Sequence, residues 1–200
     1  WMLSHPEALE GSEERLKTIS ILHEQVREQV LHDPLTGLFN RRFLDEFFER
    51  EQSRARREDS ELVLALIDLD RFKMLNDNHG HMVGDEVLRA VANFFEARLR
   101  STDVVFRIGG EEFLLILTGL EIEAALARVD NLRKQFAATP IPTRAGIMTI
   151  EFSAGLACRR AHGDELDALM QAADAALYQA KREGRNRVLL AGATLPGVTG

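Results

Sequence analysis

Apolar residues recur along this chain with two different periods, and the switches between them mark out its elements. In segment 12–32, Leu16, Ile19, His23, Val26 and Val30 stand 3, 4, 3 and 4 residues apart. That is a narrow helical seam, better suited to a partner helix than to a broad core. Two arrangements fit so short a seam. One is a parallel coiled-coil dimer, with His23 weakening the pairing while helping to fix its register; the other is a helix packed on its own domain. Asp33-Pro34 ends the helix, because a proline ring disfavours helical geometry in the residue before it.

Beyond that break, helical and strand patterns alternate. "NRRFLDEFFER" puts Phe43, Leu44, Phe47 and Phe48 on one helical face behind an Asn40 cap. "ELVLALIDLD" is apolar without alternation from Leu62 to Ile67, as expected of a central strand covered on both faces. A helix then carries Leu88, Val91, Ala92, Phe95 and Leu99, and "DVVFRI" and "FLLIL" read as strands around Gly109-Gly110. A third helix is predicted from Ile122 to Phe136, "GIMTIEFSAGLAC" as a strand, "ELDALMQAADAALYQAKREG" as a helix ending at Gly184, and "RVLL" as a closing strand. The expected fold is α/β, an α+β sandwich with helices over a mixed sheet. The expected division is a linker helix over 1–31, one domain over 32–190 and a disordered tail over 191–200.

Composition narrows the function classes. With 200 residues, 45% hydrophobic, the chain is long enough for one domain with a full core. Its 25 basic and 32 acidic residues give a net charge of −7, a poor match for nucleic acid or an anionic membrane surface. A small anionic ligand then needs a cation as escort. The single cysteine, Cys158, excludes an internal disulfide framework and a cysteine-rich zinc site, and fits a reducing cytoplasm. No apolar run approaches the roughly 20 residues of a membrane span. The opening "WMLSHPEALEGSEE" lacks an initial Met and reads as the start of a fragment, with any sensor lying outside it.

Candidate chemistry gathers at three places. Asp68 and Asp70 lie two apart at the carboxyl end of the central strand, so their side chains project to the same side. "RFKMLNDNHGHMVGDEVL" follows; it reads as a long polar loop, of a length and variety rarely needed merely to join a strand to a helix. In "FRIGGEEFLLIL" the glycines suit the positive φ angles of a tight turn, which leaves Glu111 and Glu112 at its exit. If that hairpin pairs beside the central strand, Glu111 and Asp68 converge and need a compensating cation. Oxygen ligands without cysteine favour Mg2+ or Mn2+ over zinc, and Mg2+ suggests a phosphate ligand.

"DPLTGLFNRR", "DLDRFKMLNDNHGHMVGDEVL", "RIGGEEF" and "YQAKREGRN", in this order, resemble the GGDEF family of bacterial diguanylate cyclases in its GGEEF version, over about residues 32–190. The resemblance implies a sheet like that of nucleotidyl cyclases and polymerase palms. It also implies condensation of two GTP into cyclic di-GMP and two pyrophosphates, at a site between two facing domains of a homodimer. By match to the family's motifs, Asp68, the carbonyl of Leu69 and Glu111 would bind two Mg2+ ions, with Mn2+ as an alternative. Asn76 and Asp85 would read guanine, and Lys181 and Arg185, four apart on one helical face, would clamp phosphates with Lys73 as a weaker partner. Glu112 either assists deprotonation of the attacking hydroxyl or braces the loop, and His81 either lines the site or is an ordinary loop histidine. Arg100 and Asp103 of "RSTD" match the family's inhibitory site for cyclic di-GMP, with Arg128 and Arg133 as candidates for further arginines there. Asp70 is read as orienting the strand end, His79 as bland, and Arg107 as a supporting cation. A non-catalytic module sensing GTP or cyclic di-GMP is the alternative reading.

Overall fold

The computed structural model describes residues 31–192 together with Lys17. The predicted linker helix and tail therefore lie almost entirely outside the described residues. The strands are β1 (Phe39–Asn40), β2 (Leu62–Leu69), β3 (Val104–Arg107), β4 (Glu112–Thr118), β5 (Ile141–Thr143), β6 (Gly146–Met148), β7 (Phe152–Cys158) and β8 (Val188–Leu190). The helices are α1 (Arg41–Glu58), α2 (Phe72–His79), α3 (His81–Glu96), α4 (Ile122–Ala137), α5 (Arg159–His162) and α6 (Leu166–Arg182).

Six strands form one sheet in the order β1-β3-β4-β2-β7-β8, and β5 with β6 makes a separate hairpin. β2 pairs antiparallel with both β4 and β7, whereas β1 and β8 join the edges in parallel. All eight residues of β2 are buried, which explains its unbroken apolar run. Alternate residues serve two cores. Val63, Ala65 and Ile67 face α2, α3 and α4, while Leu62, Leu64 and Leu66 face α1 and α6. Asp68 continues the second set, which directs it toward α6.

α6 sits unusually close to the sheet. A Cβ on Gly155 of β7 would lie 2.0 Å from the Ala173 carbonyl oxygen, so only glycine admits this approach. The small buried residues Ala173, Ala176 and Ala180 complete the contact. The register of α6 over the sheet, and with it the position of Lys181, follows from that packing.

Two expectations change. The predicted polar loop after β2 is largely helical, because Phe72, Leu75, Val83, Val87 and Leu88 are buried at helical spacing. Its polar groups occupy the outer faces of α2 and α3, with Gly80 at φ 84° between them. "GIMTIEFSAGLAC" also divides, its first residues forming β6 and its last forming β7. No helix among the described residues is long and apolar enough to cross a membrane.

Candidate active site

The carboxyl end of β2 meets the β3–β4 hairpin. Asp68 lies opposite Glu112 in the antiparallel register, and just beyond it the Leu69 N–H donates to the Glu111 carbonyl at 3.2 Å. Asp68 is only 7% exposed, and Lys181 Nζ stands 2.8 Å from its Oδ2. Burial pushes Asp68 above the ordinary carboxylate range, although Lys181 and Arg185 act to lower it. Glu111 is also raised, first by burial and then by the negative charge of Asp68. The two acids are therefore electrostatic neighbours, as the hairpin pairing required.

The turn itself differs from expectation. Neither Gly109 nor Gly110 has a positive φ. Gly109 is needed for space, since a Cβ there would lie 2.4 Å from Glu112 Oε2. The Glu112 carboxylate thus folds back over the turn, and its carbonyl accepts from the Ile108 N–H at 3.0 Å.

Asn76 and Asp85 sit on successive helices, and Gly84 brings those helices together. A Cβ on Gly84 would lie 2.0 Å from Asn76 Oδ1. That oxygen is buried without a hydrogen-bond partner, an arrangement that costs about 1–3 kcal/mol. Asp85 is half-buried and has no hydrogen bond or ion pair among the described residues. Lys73 and His81 are exposed and likewise unpaired.

Lys181 lies in the last turn of α6, but Arg185 does not share its helical face. The helix ends at Arg182, and Arg185 and Asn186 follow in left-handed conformations with φ 64° and 44°. The Arg185 charge still acts on Asp68.

Asp70 does more than its motif disclosed. It accepts from the Ser153 hydroxyl at 2.8 Å and from the Asn186 N–H at 2.9 Å, and its own N–H donates to the Glu151 carbonyl at 2.9 Å. Periodicity carried no signal for Ser153, Glu151 or Asn186, because these contacts join residues more than 80 positions from Asp70.

Arg100 and Asp103 form a turn on the far side of the hairpin, with the Asp103 N–H donating to the Arg100 carbonyl at 3.0 Å. The Asp103 side chain is fully buried, Arg128 Nη2 donates to its Oδ2 at 2.9 Å, and its Oδ1 has no partner. Arg100 is exposed beside a cavity of about 430 Å3, also lined by Asp103, Phe39 and Glu96. Arg133 is not at this turn: it donates to Asp130 at 2.8 Å and to Asn186 at 2.6 Å.

Arg107 has a definite task. It donates to Asp33 Oδ1 at 2.9 Å and to the Gly110 carbonyl at 2.8 Å, which ties the segment before β1 to the tip of the hairpin. Burial acts to raise the Asp33 pKa, but hydrogen bonds from Thr36 and Arg107 hold it below its ordinary value. A depressed folded pKa gives stability that is present above the unfolded value and lost as pH falls through the folded one. Arg107→Ala should therefore cost about 1–2 kcal/mol at neutral pH. The gap from wild type should be smaller in acid well below the ordinary carboxylate range, where Asp33 is protonated in both proteins, than at neutral pH. Urea melts at the two pH values read this directly.

The oxygen donors at the end of β2 suit a hard divalent cation. No group of three or more His, Cys, Asp or Glu side chains among the described residues forms a ready metal cage. Two carboxylates and a carbonyl agree with Mg2+, which is commonly held by one or two carboxylates and completed by phosphates and water. Lys181 against Asp68 already shows that the acid needs a positive partner.

Comparison with known proteins adds independent findings. A sequence profile described as "Diguanylate cyclase, GGDEF domain" matches residues 30–187. The chain is 39% identical over 186 residues to "Diguanylate cyclase DgcP" of Pseudomonas aeruginosa, covering 92% of this chain and 27% of that protein. It is 42% identical over 176 residues to "Diguanylate cyclase DosC" of Escherichia coli K12, covering 88% of this chain and 38% of that protein. Thus it spans well under half the length of these curated relatives. The crystal structure of the coiled coil and GGDEF domain of DgcB from Caulobacter crescentus, in complex with c-di-GMP, superposes with a TM-score of 0.85 at 31% identity. That match covers 92% of this chain and 98% of the other.

Proposed function

The chain belongs to the GGDEF family of diguanylate cyclases, and from that premise we propose that it condenses two GTP molecules into cyclic di-GMP and two pyrophosphates. The site is shared between two protomers, each bringing one GTP. The observation that carries this reading is the pair of raised carboxylates, Asp68 and Glu111, beside Lys181 at the end of β2. A buried acid at a strand end, with a half-buried acid of like charge on the adjoining turn, is expected where a cation and a polyanion are handled.

Asp68, the Leu69 carbonyl and Glu111 are the proposed holders of two Mg2+ ions, Mn2+ being the alternative. Such ions polarise the α-phosphate and offset the triphosphate's charge when bound. Asn76 and Asp85 read guanine: the Asp85 carboxylate accepts from N1–H and the exocyclic amine, while Asn76 Oδ1 is an acceptor in need of a donor. Lys181 and Arg185 bind phosphates, and Lys73, exposed on α2, assists from the other side. His81 lines the nucleotide site at the start of α3. In each half-reaction a 3'-hydroxyl oxygen bonds to the partner's α-phosphorus, the bond to pyrophosphate breaks and the hydroxyl proton leaves. Glu112, folded over Gly109, braces the turn that presents Glu111.

Arg100, Asp103 and Arg128 form an inhibitory site for the product. Arginine meets the phosphate and Hoogsteen edge of guanine, and the unpartnered Asp103 Oδ1 suits an N–H donor. Arg100→Ala should weaken inhibition by added cyclic di-GMP roughly 10- to 100-fold while leaving initial rates unchanged, since a charge-assisted hydrogen bond is worth about 1.5–3 kcal/mol.

The segment before Asp33, with its seam of Leu16, Ile19, His23, Val26 and Val30, is the proposed means of pairing two copies in parallel and setting their relative alignment. Incubation with GTP and Mg2+, followed by chromatography for cyclic di-GMP and pyrophosphate, tests the whole reading. Absence of product from a dimeric sample freed of bound nucleotide would leave a non-catalytic sensor of GTP or cyclic di-GMP.

A further inference from the structure

Asp70 is 8% exposed and lies two residues past Asp68, and both of its carboxylate oxygens are engaged within the protein. Oδ1 accepts from the Ser153 hydroxyl at 2.8 Å, and Oδ2 accepts from the Asn186 N–H at 2.9 Å and from Ser153 at 3.1 Å. Ser153 is fully buried in β7 and pairs with Asp68 in the sheet register. Asn186 is held at its other end as well. Its Nδ2 donates to Glu151 Oε1 at 2.8 Å, and its Oδ1 accepts from Arg133 Nη1 at 2.6 Å.

This network fixes an unfavourable backbone. Arg185 and Asn186 are consecutive non-glycine residues at φ 64° and 44°, and each left-handed residue costs about 1–2 kcal/mol. Such a conformation persists only where its surroundings over-determine it. The buried acceptor that captures the Asn186 N–H is Asp70. Immediately before Asn186 stands Arg185, whose charge reaches Asp68.

The geometry points to Asp70 as a positioning residue: by holding the Asn186 N–H it keeps the Arg185–Asn186 turn left-handed, and so aims Arg185 at the triphosphate beside Asp68. It acts through Arg185 and does not touch substrate. The inference rests on the reading of Arg185 as a phosphate-binding group. Without Asp70 the turn relaxes to a right-handed or extended backbone, and the guanidinium swings away while the guanine-reading face of α2 and α3 is untouched. Asn at position 70 keeps an oxygen for the Asn186 N–H, and the Ser153 hydroxyl can reverse to accept from the new amide.

A double-mutant cycle on the GTP KM tests this. Asp70→Ala and Arg185→Ala should each raise KM on the order of tenfold, and the double variant should be no worse than Arg185→Ala alone. Asp70→Asn should recover most of the loss, and the preference for GTP over ATP should be unchanged in Asp70→Ala. Should Asp70→Ala fail to fold, Ser153→Ala removes one of its two anchors and carries the same cycle. Multiplying effects in the double variant, no rescue by Asn, or a loss of GTP preference would each overturn the inference while leaving the site reading intact. Wild-type KM in Arg185→Ala would overturn the phosphate-binding role and the inference together.

Discussion

Glu111→Ala should abolish cyclic di-GMP formation, lowering the rate at least about 1,000-fold, without unfolding the protein. A metal-supported phosphoryl transfer draws several kcal/mol of transition-state stabilisation from its ions, and about 1.4 kcal/mol is a factor of ten in rate. The protein should survive because Glu111 lies at the turn's exit, outside β4, and what it gives the fold is its carbonyl, which accepts from the Leu69 N–H. Ala keeps that carbonyl. The charge of Glu111 is itself unfavourable without a cation, since burial and the neighbouring Asp68 both raise its pKa. Glu111→Gln should therefore melt no lower than wild type in metal-free buffer, yet be equally inactive. The sign follows from linkage: a raised folded pKa means that stability is lost as pH climbs through the shifted range, and the amide escapes that loss. Thermal melts with and without Mg2+, together with product chromatography, separate the two effects. Mg2+ should raise the wild-type midpoint and leave the Gln variant almost unmoved.

The second large effect concerns the base. Asp85→Ala should lower kcat/KM for GTP by about 100-fold, because two hydrogen bonds to a charged acceptor are lost at about 1.5–3 kcal/mol each, partly replaced by water. Discrimination against ATP should fall further than activity does. Adenine presents an acceptor at N1 and would leave the Asp85 carboxylate unpaired, and polar sites that reject a mismatched ligand in this way reach selectivities of about 10,000-fold. With Ala at 85 that penalty disappears, so the ratio of GTP to ATP rates should drop toward that of a pocket reading shape alone. Competition kinetics with both nucleotides measures it. Asn76 should be the smaller contributor of the two, since its neutral amide forms weaker hydrogen bonds than a carboxylate does.

Periodicity alone determined a good deal. The unbroken run of β2 announced a strand covered on both faces, and the helical spacing of Phe43, Leu44, Phe47 and Phe48 announced α1. The two acids of the hairpin stand out as more than a turn needs, and Asp68 with Asp70 as carboxylates at a strand end bordering a polar segment. Residue spacing was a weaker guide where two signals competed. After β2, the many polar residues obscure the buried spacing of Phe72, Leu75, Val83 and Val87, so a helical pair looks like a loop in the sequence. At Gly109, the expectation of a positive φ missed a requirement for space that only the Glu112 carboxylate creates.

What the tertiary structure decided are the contacts between residues far apart in the chain. Lys181 meets Asp68 because Gly155 lets α6 approach the sheet. Arg128 meets Asp103, Arg133 turns instead to Asn186, and Arg107 joins Asp33 to Gly110. Asp70, read from sequence as orienting a strand end, reaches across to Asn186 and the turn that bears Arg185. The physical reason is the range of each signal. Burial repeats every two or every 3.6 residues and is written along the chain, whereas the partner of a buried charge is chosen by which strands and helices lie side by side. The sequence by itself therefore determined most of the elements and which residues are candidates for chemistry; packing alone decided which charges face one another.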